Sequence, residues 1–408
     1  WKIQTLLETD DANWAENVDL AIDPKGNIIA VWQQNDGTRY NILSSRHEPE
    51  GGWTTPVAIE NDTGDAQKPK IVMHKNGNAV VVWSQYDGSE YSAWANTYIK
   101  NSGWGVSQKI ETGNLGGVNL IKISTNRQGN VMAIWQQYNG SDNDIWANTF
   151  TFDSGWGTAE LVEQHSQNAE NPEVAIDPTG NAIAVWYQHD GVRTNVWANR
   201  YVYGTGWESA ATIETQDGYA SPPMIVVDSS GNGIAVWSQY DGLRTDVWYN
   251  SYSPSSGWAN AQLLENDNSG AAMEPQIAID GADNVLVVWS QNDGSKNNIL
   301  SRRYNPLSGW NTIEYVETNI SNSAILDSVA VNYQGDAIVL IGEKVGLEQN
   351  IWASQYTHNR GWSSAELIEH NAGDSIYSRV IINNNGYAAA AWQQYDSDPY
   401  NIWATVFY

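Results

Sequence analysis

Short apolar runs broken by turn residues dominate this chain, and none of them has the period of a helix. Residues 181–188, Asn-Ala-Ile-Ala-Val-Trp-Tyr-Gln, form an apolar run that stops at Asp190-Gly191. A run of this length between turn signals reads as a buried strand. The following stretch, Asn195–Val202, mixes polar and apolar residues as a half-buried strand does. With its neighbours, this part of the chain predicts four strands, at about Glu173–Asp177, Asn181–Gln188, Asn195–Val202 and Trp207–Glu214. Asp177-Pro178-Thr179-Gly180-Asn181 makes the first turn, with Pro presetting φ and Gly supplying a positive φ. Asp190-Gly191 makes the second, and Gly204 and Gly206 the third.

The same pattern recurs along the whole sequence. The Trp of the second strand falls at Trp32, Trp83, Trp135, Trp186, Trp237, Trp289 and Trp392, with Ile341 in the one gap, at spacings of 51 or 52 residues. A second set follows in Ile-Trp-Ala-Asn and its relatives: Trp94, Trp146, Trp197, Trp248, Trp352 and Trp403, with Leu43 and Leu300 substituting. A third follows Gly: Trp53, Trp104, Trp156, Trp207, Trp258, Trp310 and Trp362. Its eighth member is Trp1, seven residues before Glu8 just as Trp53 precedes Glu60. Of 22 Trp residues, Trp14 alone stands outside these sets.

Eight copies of a four-stranded antiparallel unit predict an all-β fold, a closed eight-bladed β-propeller forming one domain over residues 1–408. Residues 1–8 supply the outer strand of the blade whose other strands lie in about 376–408. That pairing removes edges that invite aggregation. The repeated Trp residues then fill the space between blades. Each buries about 150–250 Å², or roughly 4–6 kcal/mol of gross transfer energy.

Composition narrows the function. Aromatics are abundant (22 Trp, 21 Tyr), Gly numbers 35 and Cys is absent, which removes disulfides and thiolate metal sites. No apolar run is long enough to span a bilayer. Forty-seven acidic residues against 20 basic give a net charge of −27. Such a surface repels nucleic acid, anionic membranes and acidic polysaccharides.

Repeated chemistry is read first as scaffold. Glu8, Glu60, Glu111, Glu163, Glu214, Glu265, Glu317 and Glu369 close the outer strands in all eight copies, as expected of carboxylates that accept backbone N–H groups. The segment Trp-x-Gln-x-Asp-Gly recurs with Asp36, Asp87, Asp190, Asp241, Asp293 and Asp396, usually facing an Asn or Asp on the next strand. Asp-Gly is a hairpin turn signal; calcium at these oxygen pairs is the alternative, and no cofactor is otherwise expected. The aromatic position before the turn, Tyr86, Tyr138, His189, Tyr240 and Tyr395, together with Asp87, Asp190 and Asp241, makes the candidate ligand site. Aromatic faces beside carboxylates suit sugar rings and hydroxyls. The six His form no ligand-spaced pair, and no phosphate loop or nucleophile elbow occurs. Carboxylates abound, but none stands out as an acid/base pair. Ile341-Gly342-Glu343-Lys344-Val345 departs most from the repeat.

The unit Gly-Asn-x-x-Ala-Val-Trp-x-Gln-x-Asp-Gly…Ile-Trp-Ala-Asn…Gly-Trp…Ile-Glu covers the chain. It resembles Trp-rich propeller repeats of exported bacterial proteins. More distantly it is similar in architecture to propeller lectins, and loosely to the Asp-box of sialidase propellers. The resemblance implies a bacterial protein, extracellular or periplasmic and monomeric. The leading expectation is a non-enzymatic module that binds neutral carbohydrate at repeated shallow sites. A protein-interaction platform is the second, and a polysaccharide hydrolase or lyase the third.

Overall fold

The computed structural model describes residues 1–9, 13–113, 116–215, 218–266, 270–346, 348–358, 360–395 and 399–408. They form eight antiparallel sheets in chain order, the blades of an eight-bladed β-propeller. The N-terminal Thr5–Leu6 pairs with Asn401–Phe407, so the last sheet is completed by the first residues of the chain. Glu8 holds the same junction, its carboxylate accepting the N–H of Ile402 at 3.0 Å.

The chain divides into two compact units. In the first (Trp1–Val81, Asn96–Ser107, Ala278–Tyr408), sheet 8 packs on sheet 1 through Ala389, Ala391 and Ile402 against Val18, Ala30 and Trp32. Sheets 6 and 7, and 7 and 8, pack likewise. In the second (Val82–Ala95, Gln108–Ile277), sheets 2 and 3, 3 and 4, and 4 and 5 pack in the same way.

Sheet 4 shows why each residue of the repeat is there. Its strands are Ala169–Ile176, Ala182–His189 and Thr194–Val202, followed by two short pieces, Gly206–Trp207 and Ala211–Thr212, both paired with the third strand. The predicted continuous fourth strand is therefore interrupted. Asn199, the Asn of the Trp-Ala-Asn motif, spans the break: its Nδ2 donates to Glu208 O (2.9 Å) and to Val162 O of the preceding connection (2.7 Å).

The first strand starts earlier than predicted and carries a bulge at Asn171, with φ 52°. The same positive φ recurs at Asn17, Lys68, Leu120, Glu274 and Tyr377. The bulge turns an N–H toward the neighbouring sheet, where the residue after the repeat Trp accepts it. Asn17 N donates to Gln393 Oε1 (3.0 Å), Lys68 N to Gln33 Oε1 (2.8 Å), and Glu274 N to Ser238 Oγ (3.0 Å). In sheet 5 this position is Pro222, which has no N–H, and the first strand shortens to Met224–Val227.

The first Trp set is wholly buried. Each indole N–H donates to the Gln two residues on, as Trp186 Nε1 does to Gln188 Oε1 at 3.0 Å. Gln188 Nε2 donates in turn to Glu163 Oε2 (3.3 Å), His165 O and Gln167 O. The Trp-x-Gln motif is thus a chain of buried donors and acceptors that satisfies every polar group it buries. Sheet 7 needs no such chain, because the Ile341 side chain has no donor; Glu343 there accepts from Ser321 and Asn322. The second and third Trp sets are only half-buried, which corrects the expectation that all three are core. The third set packs on a ring of the preceding strand, as Trp207 does edge-on to Tyr201 at 5.4 Å.

Candidate functional site

The aromatic and Asp residues singled out from the sequence lie in five separate turns, joining second to third strands. Each Asp is occupied by its own turn. Asp87 Oδ1 accepts from Ser89 N, Glu90 N and Ser89 Oγ, and these bonds hold its carboxyl at about 2. Asp190 accepts from Val192 N, Arg193 N and Asn195 Nδ2, again lowering it to about 2. Asp241 accepts from Leu243 N and Arg244 N, and its carboxyl is likewise lowered. The Asn195 amide fills the place a cation would take between the two side chains. No group of three or more His, Cys, Asp or Glu able to hold a metal occurs among the described residues.

Tyr86, Tyr138 and Tyr240 fold back on their turns, donating to Gly88 O (3.1 Å), Gly140 O (2.8 Å) and Gly242 O (2.8 Å). His189 Nδ1 accepts the Gly191 N–H. Tyr395 packs its ring on Tyr400 at 5.3 Å, as Tyr86 does on Tyr91 at 5.5 Å. Asp396 lies outside the described residues.

A different cluster breaks the repeat within the second unit. The position after the repeat Trp holds Gln33, Ser84, Gln136, Ser238, Ser290, Gly342 and Gln393, but in sheet 4 it is Tyr187. Tyr187 Oη donates to Glu170 Oε2 at 2.8 Å and accepts from Asn171 Nδ2 at 3.0 Å. Asn143 Nδ2 of sheet 3 donates to the other Glu170 oxygen at 3.3 Å. The bulge positions Asn171, and its backbone N–H reaches Gln136 Oε1 of sheet 3. Burial, then the Glu170 carboxylate, pushes the Tyr187 phenol up to about 12. The phenol is therefore protonated at neutral pH, with a carboxylate in hydrogen-bond reach of its proton. Both side chains are half-buried and retain access to solvent. This is the arrangement of a nucleophile beside its base. Sequence reading missed it, although a lone Tyr among Gln and Ser at one repeat position was a visible signal.

Two residues from this cluster in sequence, Glu173 forms an ion pair with Lys122 of sheet 3. Nearby in the chain, Glu163 is buried, and that burial, with the adjoining Asp144 carboxyl adding to it, raises it to about 7. Its oxygen accepts from His165 N at 2.7 Å, so it serves the scaffold.

No family model and no curated protein matches this chain. Solved structures match in fold. A protein of unknown function from Dyadobacter fermentans is 10% identical over 99% of this chain and 97% of its own, with a TM-score of 0.50. A polysaccharide lyase, an ulvan lyase bound to -[GlcA(1-4)Rha3S]-, is 11% identical over 81% of this chain and 90% of its own, at 0.51. A leech intramolecular trans-sialidase matches at 9% identity over 99% of this chain and 93% of its own, at 0.47. At such identities the likeness establishes the fold. The leading expectation of a non-enzymatic binding module is corrected, because the structures matched at a TM-score of 0.50 or above include polysaccharide lyases. The third expectation, a polysaccharide hydrolase or lyase, is the one carried forward.

Proposed function

We propose that this protein is a carbohydrate-active enzyme that cleaves polysaccharide, with Tyr187 and Glu170 at its reacting centre. One observation carries the reading: a Tyr–Glu hydrogen bond of 2.8 Å, present where the repeat would place Gln or Ser. Scaffold positions keep the symmetry of a repeat, and this one breaks it. Glu170 takes the phenolic proton as the Tyr187 oxygen attacks the anomeric carbon and the glycosidic C–O bond breaks, the leaving sugar oxygen taking a proton from water. The hydroxide so formed then displaces Tyr187 from that carbon, and the phenolate recovers its proton from Glu170. The Asn171 amide N–H steadies the charge on the phenolic oxygen throughout. Fold likeness to glycan-cleaving propellers supports the substrate class.

Hydrolysis is favoured over elimination. Elimination needs a uronate carboxylate to acidify the proton that leaves, and a chain of net charge −27 repels a polymer of uronates. The net charge of −27 suits an exported bacterial protein that meets glycan outside the cell, and among the described residues no helix is long and apolar enough to cross a membrane.

The test is a panel of neutral, amino-sugar and uronate polysaccharides, assayed for new reducing ends and for the ultraviolet absorbance of unsaturated products. The proposal expects reducing ends without unsaturated product. Unsaturated product would make the enzyme a lyase, and no product from any polymer would remove the enzymatic reading.

A further inference from the structure

Trp14, the one Trp outside the repeat sets, packs on Tyr400 with ring centroids 5.4 Å apart, and Tyr395 also packs on Tyr400, at 5.3 Å. All three belong to the first unit, where sheet 8 meets sheet 1. The equivalents of Trp14 are Asp65, Gly117, Asn168, Tyr219, Ala271, Ser323 and Asp374. At the position of Asp65, Asn168, Ser323 and Asp374 a side chain accepts a backbone N–H of the preceding sheet. Trp14 gives up that role. Its backbone keeps the ladder bond of other blades, Asn35 N donating to Trp14 O (2.9 Å) as His189 N does to Asn168 O (3.1 Å), and Ala15 N donates to Tyr400 O (3.0 Å). The indole rests on the Tyr400 ring, and 43% of Trp14 and 43% of Tyr395 still face solvent. A Trp with this exposure is not filling a core.

The rings do not form one plane. Trp14 and Tyr400 are inclined at 57°, and Tyr395 and Tyr400 at 59°. Inclined rings make the walls of a cage, whereas stacking a flat sugar ring calls for a coplanar platform. The charges that act on Tyr400 are acidic, Asp374 and Glu16. Glu16 accepts one hydrogen bond among the described residues, from Gln33 Nε2 at 3.1 Å. Tyr377, 66% exposed, lies on the same strand as Asp374. Aromatic faces carry a negative quadrupole, and with two carboxylates they attract an ammonium group.

We propose that Trp14, Tyr400 and Tyr395, with Glu16 and Asp374, bind the ammonium group of a free amino sugar, and that the enzyme acts on glycans carrying unacetylated amines. This rests on the reading of the chain as a glycan-cleaving enzyme. It adds the substrate class, and the net charge of −27 draws a polycation toward the site.

The experiment is calorimetric titration of the intact protein with a fully de-N-acetylated glucosamine tetrasaccharide and with its N-acetylated counterpart. Binding is read directly, so a failure of cleavage leaves this result standing. The deacetylated form is expected to bind at least about tenfold more tightly than the acetylated form. Trp14→Ala and Glu16→Gln should each weaken its binding by about fivefold or more, and added salt should weaken it too. Tyr395→Ala serves as the second ring variant, and circular dichroism checks that each variant is folded. Equal affinity for the two tetrasaccharides overturns the cation reading, as does unchanged binding in Trp14→Ala and Tyr395→Ala.

Discussion

Replacing Gln188 with Leu removes the middle of the buried chain from Trp186 to Glu163 while keeping the volume nearly constant. The Trp186 N–H, fully buried, loses its acceptor at 3.0 Å. An orphaned buried donor costs about 1–3 kcal/mol. The Glu163 oxygen, His165 O and Gln167 O also lose a shared donor, at 3.3, 3.1 and 3.0 Å. These weaker losses bring the expected total to about 3 kcal/mol. Urea unfolding followed by circular dichroism reads it as a lower midpoint with an unchanged slope. A double-mutant cycle isolates the indole share. In a Trp186→Phe background there is no N–H to orphan, so Gln188→Leu should cost about 1–2 kcal/mol less there. Additivity within about 0.5 kcal/mol would refute the claim that Gln188 is present to satisfy the indole.

The pH dependence of stability follows from two sets of carboxyls. Glu163 and Glu369 are raised from 4.5 to about 7 by burial, so the fold holds their protons more tightly than the unfolded chain does. Their contribution is full below about pH 4.5 and is lost as pH climbs through 7, at most about 3 kcal/mol each. Asp87 and Asp190, lowered to about 2, act in the opposite sense, and their stabilisation disappears as pH falls from 4 toward 2. Thermal unfolding should therefore peak near pH 4–5, and Glu369→Gln should flatten the limb above it; a maximum at pH 8 would contradict the assignment. Deleting residues 1–8 removes the Glu8–Ile402 bonds and the Thr5–Leu6 ladder, and is expected to lower the unfolding midpoint and cause association through the bared edge of Asn401–Phe407. Unchanged monomer stability by light scattering and urea titration would count against that junction. Ile341→Trp should destabilise sheet 7 by 1–3 kcal/mol or about that amount, since Glu343 is already engaged by Ser321 and Asn322 and the packed site has no room for the larger ring; a neutral effect in the same assay would show slack there.

The repeats were legible because each Trp and its Gln satisfy a demand made in seven of the eight blades, and such demands leave the same letters at the same spacing. The bulge was hidden for the opposite reason. Asn17, Lys68, Leu120, Asn171, Glu274 and Tyr377 share a positive φ but no chemistry; at Asn17, Lys68, Asn171 and Glu274 the neighbouring sheet recruits the backbone N–H and not the side chain. The break in the fourth strand was hidden too, since Asn199 bridges it by long-range bonds. At the loops, Tyr and Asp before each Gly looked like a ligand site, whereas in most turns their polar atoms are spent on the turn itself. The residues that break symmetry, Tyr187 and Trp14, were visible as odd letters. What they meant depended on partners brought close only by the fold, Glu170 for one and Tyr400 for the other.

The most direct test of the account is the initial rate of reducing-end release from the best polysaccharide, measured for the wild-type protein and for Tyr187→Phe. The substitution removes one oxygen and leaves the ring, so folding should be preserved. The account predicts a rate at least about 100-fold lower for Tyr187→Phe, with Glu170→Gln similarly impaired. Cleavage by Tyr187→Phe at the wild-type rate would place the chemistry elsewhere and contradict the assignment of the reacting centre.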